Sequence, residues 1–322
     1  MRLVSLKYLR DTLFMVSYTR IVYFAPTHRE DPRLGVYIND LVIDLAENYK
    51  HLFREKPPEW FYDLGLFLSS KYAQKITEEI LSVYSKNIRE TQDLVYSAEK
   101  IIYYPLTSET QRVFCIALNY ESHVRESGRP RPSRPYIFMK PRTALIGHKQ
   151  SIVIPRVSEA ADHEIELGVI IGRKSKYVSK RDAIDAVAGY TIFNDTSFRD
   201  WQMKSSEGLG LDWLHGKGMD NSTPVGPYLV TKDEIEDPYK LTLELRVNKE
   251  IRQRGSASEM IFSIEEIIEE ISKGITLLPS DLIATGTPSG VGHAKRIYLR
   301  EGDLVEAEIS GIGILVNPVI RE

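Results

Sequence analysis

Residues 163–171 read His-Glu-Ile-Glu-Leu-Gly-Val-Ile-Ile and predict a β-strand. Alternate residues of a strand point to opposite faces, so Glu164 and Glu166 project together while Ile165 and Val169 project into the other layer. The apolar run after the two glutamates favours a buried strand. Further short strand-like runs, separated by Gly, Pro and Asn turns and not alternating regularly with helices, indicate a closed or folded-over β architecture rather than a Rossmann-type fold.

The N-terminal part of the chain differs from the remainder in its predicted secondary structure. It begins with short strands and turns, and residues 60–103 then change to helical spacing, with apolar residues at three- and four-residue steps. We therefore predict a small N-terminal α+β domain over residues 1–104 and a mostly β domain over residues 105–322. In the second domain, Ile264–Ser272 predicts a helix with Ser263 as its N-cap. The predicted fold class is thus α+β, mostly β.

The composition is that of an ordinary globular protein. Hydrophobic residues make up 42% and charged residues 27% of the 322 residues, which is enough apolar material for a sizeable core. The formal net charge of −3 gives no electrostatic reason to expect nucleic acid or an anionic membrane as partner. Cys115 is the single cysteine, which excludes an intramolecular disulfide and a cysteine-based metal cluster. No apolar run reaches the roughly 20 residues of a membrane span and no signal-peptide pattern is present, so we expect a cytoplasmic location.

The paired carboxylates of Glu164 and Glu166 repel each other unless a positive charge lies between them. On a solvated strand edge this repulsion would be small, and that is the alternative interpretation. In a buried strand the pair needs a cation, and oxygen ligands suit Mg²⁺, Mn²⁺ or Ca²⁺. Asp195 ends a second short strand, where rigid scaffolds place reactive groups, and could supply a third ligand. It could equally be an N-cap or turn residue.

Three further segments contain residues suited to a binding or catalytic site. His123 and Glu126 are three apart, so one helical turn would place a carboxylate beside an imidazole and raise its basicity, although surface helices contain such pairs by chance. Lys217 follows a glycine and could approach a bound carboxylate or enolate, or it is an ordinary loop lysine. Residues 284–292 are rich in glycine, but the Walker ending is missing. We therefore reject nucleotide binding, and a backbone-lined carboxylate pocket stays open.

Several spaced motifs follow one another along the chain from about Thr107 to the C-terminus. They are Asn119-Tyr-x-x-His123-x-x-Glu126, Phe138-x-Lys140, Glu164-x-Glu166, Asp195-x-Ser-x-Arg199-Asp-x-Gln202, Gly216-Lys217-x-x-Asp220, Val247-Asn248 with Arg252-Gln253, and Thr285-Gly-Thr-Pro-Ser-Gly-Val-Gly292. Taken in this order, they resemble the fumarylacetoacetate hydrolase superfamily. One departure is the family's usual Asn-Gly turn, which is Asn248-Lys249 here.

The resemblance implies a mixed β-sandwich roll for the catalytic domain and assembly into a homodimer. It also implies a divalent cofactor, Mg²⁺ or Mn²⁺ with Ca²⁺ as an alternative, and a small-molecule 2-oxo acid as the substrate. The residues it assigns are the metal ligands Glu164, Glu166 and Asp195, the catalytic residues His123, Glu126 and Lys217, and the substrate contacts Arg199, Gln202, Thr287 and Lys140.

The favoured reaction is hydrolysis of a C–C bond in an acylpyruvate or fumarylpyruvate, as in aromatic compound catabolism, with His123 and Glu126 activating water. Alternatives within the family are an isomerase or decarboxylase of 2-hydroxyhepta-2,4-diene-1,7-dioate, an oxaloacetate decarboxylase, or a dehydratase of 2-oxo sugar acids. A non-catalytic small-acid or metal-binding protein is the alternative of another class. We also predict that Asn119 to Arg134 form a mobile lid and that the chain up to about Tyr104 contributes no catalytic side chain.

Overall fold

The structure, a computed structural model, describes residues 20–86, 94–108, 110–204 and 210–322. The predictions for residues 1–19 therefore lie outside the described residues. In the described chain the strands are β1 Arg20–Ala25, β2 Arg33–Ile38, β3 Leu41–Asp44, β4 Val95–Ser97, β5 Ile102–Tyr103, β6 Val113–Ala117, β7 Tyr136–Lys140, β8 Leu145–Ile146, β9 Ile152–Ile154, β10 Ala161–Asp162, β11 Ile165–Ile171, β12 Val187–Asn194, β13 Ser197–Phe198, β14 Thr223–Thr231, β15 Thr242–Val247, β16 Glu250–Ser256, β17 Leu282–Ala284, β18 Leu304–Ile309 and β19 Gly313–Arg321.

Among the described residues, helices are fewer than strands. The α-helices of the described residues are α1 Leu45–Phe53, α2 Leu64–Ser69, α3 Lys71–Lys86, α4 Glu121–Ser127, α5 Arg199–Gln202, α6 Trp213–Lys217, α7 Ile264–Ser272 and α8 Gly292–Lys295. Short 3-10 helices cover Glu59–Phe61, Arg142–Ala144, Lys180–Ala186, Lys232–Glu234, Pro238–Lys240 and Ala257–Glu259. The predicted α+β class with mostly β structure is confirmed.

The larger sheet contains the strand from which the sequence analysis started. Its order is β4-β3-β2-β1-β14-β12-β11-β17-β6-β7, with β5 paired to β1 and β8 paired to β14. Strand β11 lies near the middle, antiparallel to β12 on one side and to β17 on the other. Every residue of β11 is buried. The predicted buried strand is therefore correct, and the carboxylates it carries cannot lie on a solvated edge.

A second sheet, of order β16-β15-β18-β19-β9, packs against one face of the larger sheet through β11, β12 and β14. The core between the sheets includes Ile165, Leu167 and Val169 from β11 and Leu245 and Ala307 from the second sheet. This is the layer into which the sequence places the alternate residues of β11. Glu166 of β11, and Glu164 just before it, consequently face away from this layer.

The front segment joins the same large sheet. Strand β1 pairs with β14 in antiparallel register, with Arg20 opposite Val230, and β2 and β3 continue the sheet outward. Helices α1 to α3 pack on the other face, where Phe61 and Ile80 share a core with Ile170 of β11. The division at residue 104 stays a prediction, since these strands extend the sheet without interruption of its pairing.

One secondary-structure prediction is wrong and one is confirmed in detail. Helical structure was expected through residue 103, yet β4 pairs with β3 and β5 pairs with β1. Pairing with an exposed strand edge overrides the helical spacing here, because Val95 and Tyr96 favour extended backbone. Helix α7 has the predicted bounds, and Ser263 caps it in a reciprocal capping box with Glu266. Among the described residues, no helix is long and apolar enough to cross a membrane.

Candidate active site and metal centre

Three carboxylates converge at one end of the β11–β12 pair. Glu164 immediately precedes β11, Glu166 lies within it, and Asp195 immediately follows β12, whose last residue pairs with the first residue of β11. The backbone N–H of Asp195 donates to the Glu164 carbonyl at 2.8 Å, which fixes this juxtaposition. One oxygen of each carboxylate lies within 4.8 Å of the other two, and all three residues are buried. The predicted cluster is therefore present in the fold.

Buried cations surround the cluster on one side. The Lys217 ammonium donates to Glu164 and to Asp195, each at 2.7 Å. Lys140 donates to the other oxygen of Asp195 at 2.6 Å. Arg199 pairs with Glu164 and also donates from Nε to Asp162 at 2.8 Å. Asp195 and Glu164 are thus each held by two cations.

The two glutamates differ in their electrostatic environment. Burial raises the pKa of Glu164, but Lys217 and Arg199 oppose this effect and hold its pKa well below its usual range. Burial also raises the pKa of Glu166, and here the charges of Asp195 and Glu164 raise it further. The pKa of Lys217 is lowered by burial but raised more strongly by Asp195 and Glu164, so its ammonium stays charged.

A divalent cation fits this arrangement. Within the part of the chain that the structure describes, Glu166 has no Lys or Arg within ion-pair distance, and its carboxylate accepts from the backbone N–H of Gly286 at 2.7 Å. The cluster therefore lacks positive charge on the Glu166 side, where burial makes an unpaired carboxylate costly. The donor set consists of carboxylate oxygens alone, which suits Mg²⁺ or Mn²⁺.

The predicted pairing of His123 with Glu126 is present on helix α4. His123 Nδ1 lies 3.3 Å from Glu126 Oε2, and the other Glu126 oxygen accepts from the Gly290 N–H at 2.9 Å. The two side chains are 13% and 17% exposed, so they are held yet open to a ligand. The start of the predicted lid is anchored, because the buried amide of Asn119 bonds to Phe262 and Thr285 backbone groups. The segment is docked over the cavity, and its mobility stays a prediction.

The glycine-rich loop after β17 supplies backbone N–H groups to the protein's own carboxylates. Gly286 donates to Glu166, and Gly290 donates to Glu126. Gly286 has a φ of 97°, and a Cβ there would lie 2.7 Å from the Asn119 Cβ, so a side chain is excluded by both conformation and space. These two N–H groups are therefore engaged by side chains of the chain itself, and a backbone-lined pocket for a bound carboxylate stays a prediction.

A cavity of about 510 Å³ joins these groups. Its walls include His123, Glu126, Lys217 and the three clustered carboxylates, and its lining residues run from Ile116 to Arg296. The predicted substrate contacts Arg199, Gln202 and Thr287 also line it.

Lys140 does not reach this cavity, which corrects its predicted role. Its side chain is 0% exposed, beneath Asp195, where it donates to that carboxylate and to the Thr196 carbonyl. Lys140 is consequently a positioning residue for Asp195 rather than a contact for the substrate.

Several lining residues were not predicted from the sequence: Arg129, Tyr136, Trp213, His293 and Arg296. The two aromatic residues come from β7 and α6, where Trp213 also stacks on Phe138 with ring centroids 4.6 Å apart. The other three lie on or beside short helix ends, where no periodicity or paired spacing distinguishes them from ordinary surface residues.

The chain is similar to proteins of known family. Residues 112–320 match the family model described as fumarylacetoacetate (FAA) hydrolase, C-terminal. Over 305 residues the chain is 36% identical to a mitochondrial oxaloacetate tautomerase of Bos taurus, covering 94% of this chain and 91% of the bovine protein. It is 38% identical to the solved 2-hydroxyhepta-2,4-diene-1,7-dioate isomerase of Mycobacterium marinum, with a TM-score of 0.61, covering 71% of this chain and 81% of that one.

A second solved structure contains a metal. It is the maleylpyruvate hydrolase of Sphingobium sp. SYK-6 in complex with manganese(II) ion and pyruvate, 26% identical to this chain with a TM-score of 0.69, covering 94% of this chain and 99% of that one. All three similar proteins are enzymes by name. The bovine protein is mitochondrial by name, and the cytoplasmic location predicted for this chain is not confirmed.

Proposed function

The chain belongs to the fumarylacetoacetate hydrolase family, and on this premise we propose that it is a divalent-metal-dependent tautomerase of small 2-oxo acids of the oxaloacetate type. The observation that carries the proposal is the meeting of a proton-transfer pair, His123 and Glu126, with the carboxylate cluster and Lys217 in one cavity. The named activity of the bovine relative, which aligns with nearly the whole chain, supports this choice of reaction.

The carboxylates of Glu164, Glu166 and Asp195 would hold the metal ion. A bound Mg²⁺ or Mn²⁺ supplies Lewis-acid polarisation of the 2-oxo carbonyl, which makes the hydrogens on the neighbouring carbon more acidic.

The side chains of the chain itself move and stabilise the charges. With Nδ1–H donated to Glu126, His123 has Nε2 free to take a proton from the carbon next to the carbonyl, and the Glu126 carboxylate stabilises the resulting imidazolium. The electron pair of the broken C–H bond moves to the carbonyl oxygen, and the Lys217 ammonium offsets the negative charge of this enolate. Return of the proton to oxygen gives the enol, so the reaction balances without a further reactant.

Substitution of His123 by Ala tests the base. We expect a fall in the rate of oxaloacetate keto–enol exchange of about 10²–10⁴-fold, the usual contribution of a general base. Mn²⁺ affinity should stay close to that of the unsubstituted protein, because the three carboxylates lie on other elements. His215→Ala is the matched control, since His215 forms a similar pair with Asp212 at 2.7 Å but is exposed on α6. Unchanged exchange in the His123→Ala protein would refute the assignment.

Hydrolysis of a C–C bond in an acylpyruvate is the second candidate. The same His123–Glu126 pair can activate water, and a cavity of about 510 Å³ accommodates a longer substrate than oxaloacetate. The maleylpyruvate hydrolase that aligns with 94% of the chain also supports it. NMR of oxaloacetate and acylpyruvates with Mg²⁺ or Mn²⁺ separates the candidates. A hydrolase releases pyruvate and a second acid, a decarboxylase releases CO₂, and a tautomerase only exchanges the keto and enol signals.

Two further features are proposed. On the family relationship alone we expect a homodimer, which light scattering would measure directly. Independently of the family, we expect that no side chain before about residue 104 takes part in the chemistry, because that segment carries no cluster of ionisable residues at a chemically meaningful spacing; the range of the residues that line the cavity supports this.

A further inference from the structure

Two arginines on the cavity wall, Arg129 and Arg296, have no ion-pair partner within the described residues. Both side chains are exposed. The other cations of the same wall are committed: Arg199 pairs with Asp162 and Glu164, and Lys217 bridges two carboxylates of the cluster. The cavity therefore has neutralised cations at the metal cluster and two guanidinium groups free to accept an anion elsewhere on its wall.

Both arginines lie on segments that the structure anchors beside the reacting groups. Arg129 directly follows Gly128, the left-handed cap of the helix that carries His123. Arg296 ends helix α8, and its positive charge lowers the pKa of neighbouring His293, after burial and Arg199. Helix α8 is fixed to the cluster of Arg199, because Asp162 accepts the N–H groups of Gly292 and His293 at 2.6 and 3.0 Å and Arg199 Nε at 2.8 Å.

The net charge around the carboxylate cluster matches one substrate carboxylate and leaves no positive charge for a second. Four carboxylates, those of Asp162, Glu164, Glu166 and Asp195, face three cations, so the ionised cluster carries one net negative charge. A divalent ion converts this to one net positive charge, which the carboxylate at the 2-oxo end of a substrate neutralises. A second carboxylate would then find no net positive charge left at this cluster and would be attracted to the two unpaired guanidinium groups.

We propose that Arg129 and Arg296 form a second anion-binding point that selects 2-oxo acids carrying a distal carboxylate. The inference rests on the proposed function for the orientation of the substrate, with its 2-oxo end at the carboxylate cluster. Guanidinium groups suit this task because they bind carboxylates in a planar, two-pronged geometry. The two arginines are specificity-determining residues and take no part in proton transfer.

Calorimetric titration of the Mg²⁺-loaded full chain with two unreactive ligands tests this. Oxalate provides the chelating end alone, whereas 3,3-difluorooxaloacetate adds a distal carboxylate and has no hydrogen on the carbon that would lose a proton. We expect the Kd of difluorooxaloacetate to rise about 10-fold or more in Arg129→Gln and in Arg296→Gln, with the Kd of oxalate unchanged. Arg129→Lys and Arg296→Lys should restore part of the affinity. Because the readout is binding, the result is independent of whether the chain is a tautomerase.

Arg131→Gln is the matched control. Arg131 lies on the same segment as Arg129 but pairs with Glu121 at 2.7 Å, outside the cavity, so its loss should leave both dissociation constants unchanged. Equal weakening of both ligands in Arg129→Gln and Arg296→Gln would show a structural effect and overturn the proposal. Difluorooxaloacetate binding that is insensitive to both substitutions would overturn it as well. Keto–enol exchange together with the expected loss of difluorooxaloacetate affinity in the arginine variants would support both proposals. If the protein shows no keto–enol exchange but the affinity changes are as expected, only the proposed function is refuted.

Discussion

Glu166 is the residue at which binding of a metal ion would compete with protonation. Burial, Asp195 and Glu164 raise its pKa, so the metal-free protein keeps a proton on this carboxylate at pH values where an ordinary glutamate has lost it. A metal ion needs the carboxylate form, and we therefore expect Mg²⁺ or Mn²⁺ binding to release up to one proton and to strengthen as pH rises through that raised pKa. Calorimetry in two buffers of different ionisation enthalpy measures the release. Equal binding heats in both buffers would contradict the prediction.

Lys140 stabilises the carboxylate cluster through its buried ion pair with Asp195. Replacing it by Met leaves Asp195 buried with one cation instead of two, and breaking a buried pair from one side costs about 3 kcal/mol of unfolding free energy. Urea denaturation should show this loss, and added Mg²⁺ should recover part of it by binding the folded state. Lys180→Met is the control, since its pair with Glu266 is largely exposed and should contribute little. Equal losses in both variants would refute this role.

At the level of single residues, sequence reasoning found the groups whose chemistry shows in local spacing. Glu164 and Glu166 are two apart at the start of the strand run, and His123 and Glu126 are three apart in a helix. Arg129 and Arg296 carry no such signal, because their significance lies in having no partner, which only the folded chain reveals. Lys140 was misassigned for the related reason that its depth beneath the cavity cannot be read from a motif.

The side chain of Asn119 supplies three of the hydrogen bonds that attach the start of helix α4. Asn119 precedes it and bonds to both backbone groups of Phe262 and to the Thr285 carbonyl, at 2.8 to 3.1 Å. In Asn119→Ala these groups lose a buried partner, so we expect about 2–3 kcal/mol lower stability and a reduced kcat as His123 loses its fixed position. Mn²⁺ affinity should persist. Asn248→Ala, which removes exposed bonds to Asp303 and Leu304, should leave kcat unchanged. An unaltered kcat in Asn119→Ala would contradict the prediction.

Elements were predictable where local chemistry agrees with tertiary context. The N-cap of α7 locates the start of that helix, and its apolar spacing gives its extent. Both signals are local, as is the capping box of Ser263 and Glu266. Strands β4 and β5 could not be found in this way. They follow a helical stretch and become extended because they pair with β3 at the edge of the sheet and with the last two residues of β1, and these contacts are made across the fold.

The molecule as a whole should lose stability in mild acid through His148. This half-buried imidazole accepts the N–H of Val316 at 3.0 Å and packs edge-on against Tyr103 of the front segment. Burial and neighbouring Lys149 lower its pKa to about 4 from 6.5. Between these pH values His148 is protonated in the unfolded chain but stays neutral in the folded chain. The unfolding free energy therefore falls as pH decreases from 6.5 towards 4.

We expect this residue to account for about 1–3 kcal/mol of that fall. Chemical denaturation at a series of pH values measures it, with His148→Asn as the comparison, because Asn can accept the same N–H without titrating. A pH profile that is identical in the two proteins would assign the acid sensitivity to other groups.

The loop of residues 285–292 has a consequence for protein engineering. It gives one N–H to Glu166, which would hold the metal, and another to Glu126, the partner of His123, so we expect a change at Gly286 or Gly290 to disturb the carboxylate that the glycine binds. Gly290 tolerates no side chain, since a Cβ would lie 2.2 Å from the Arg252 carbonyl. Arg129 and Arg296 take no part in the hydrogen bonds from Gly286 to Glu166 or from Gly290 to Glu126. If Arg129 and Arg296 select the distal end of the substrate as proposed, a library that keeps the loop and randomises these two positions should yield variants that bind other distal groups and keep the proposed proton transfer at His123.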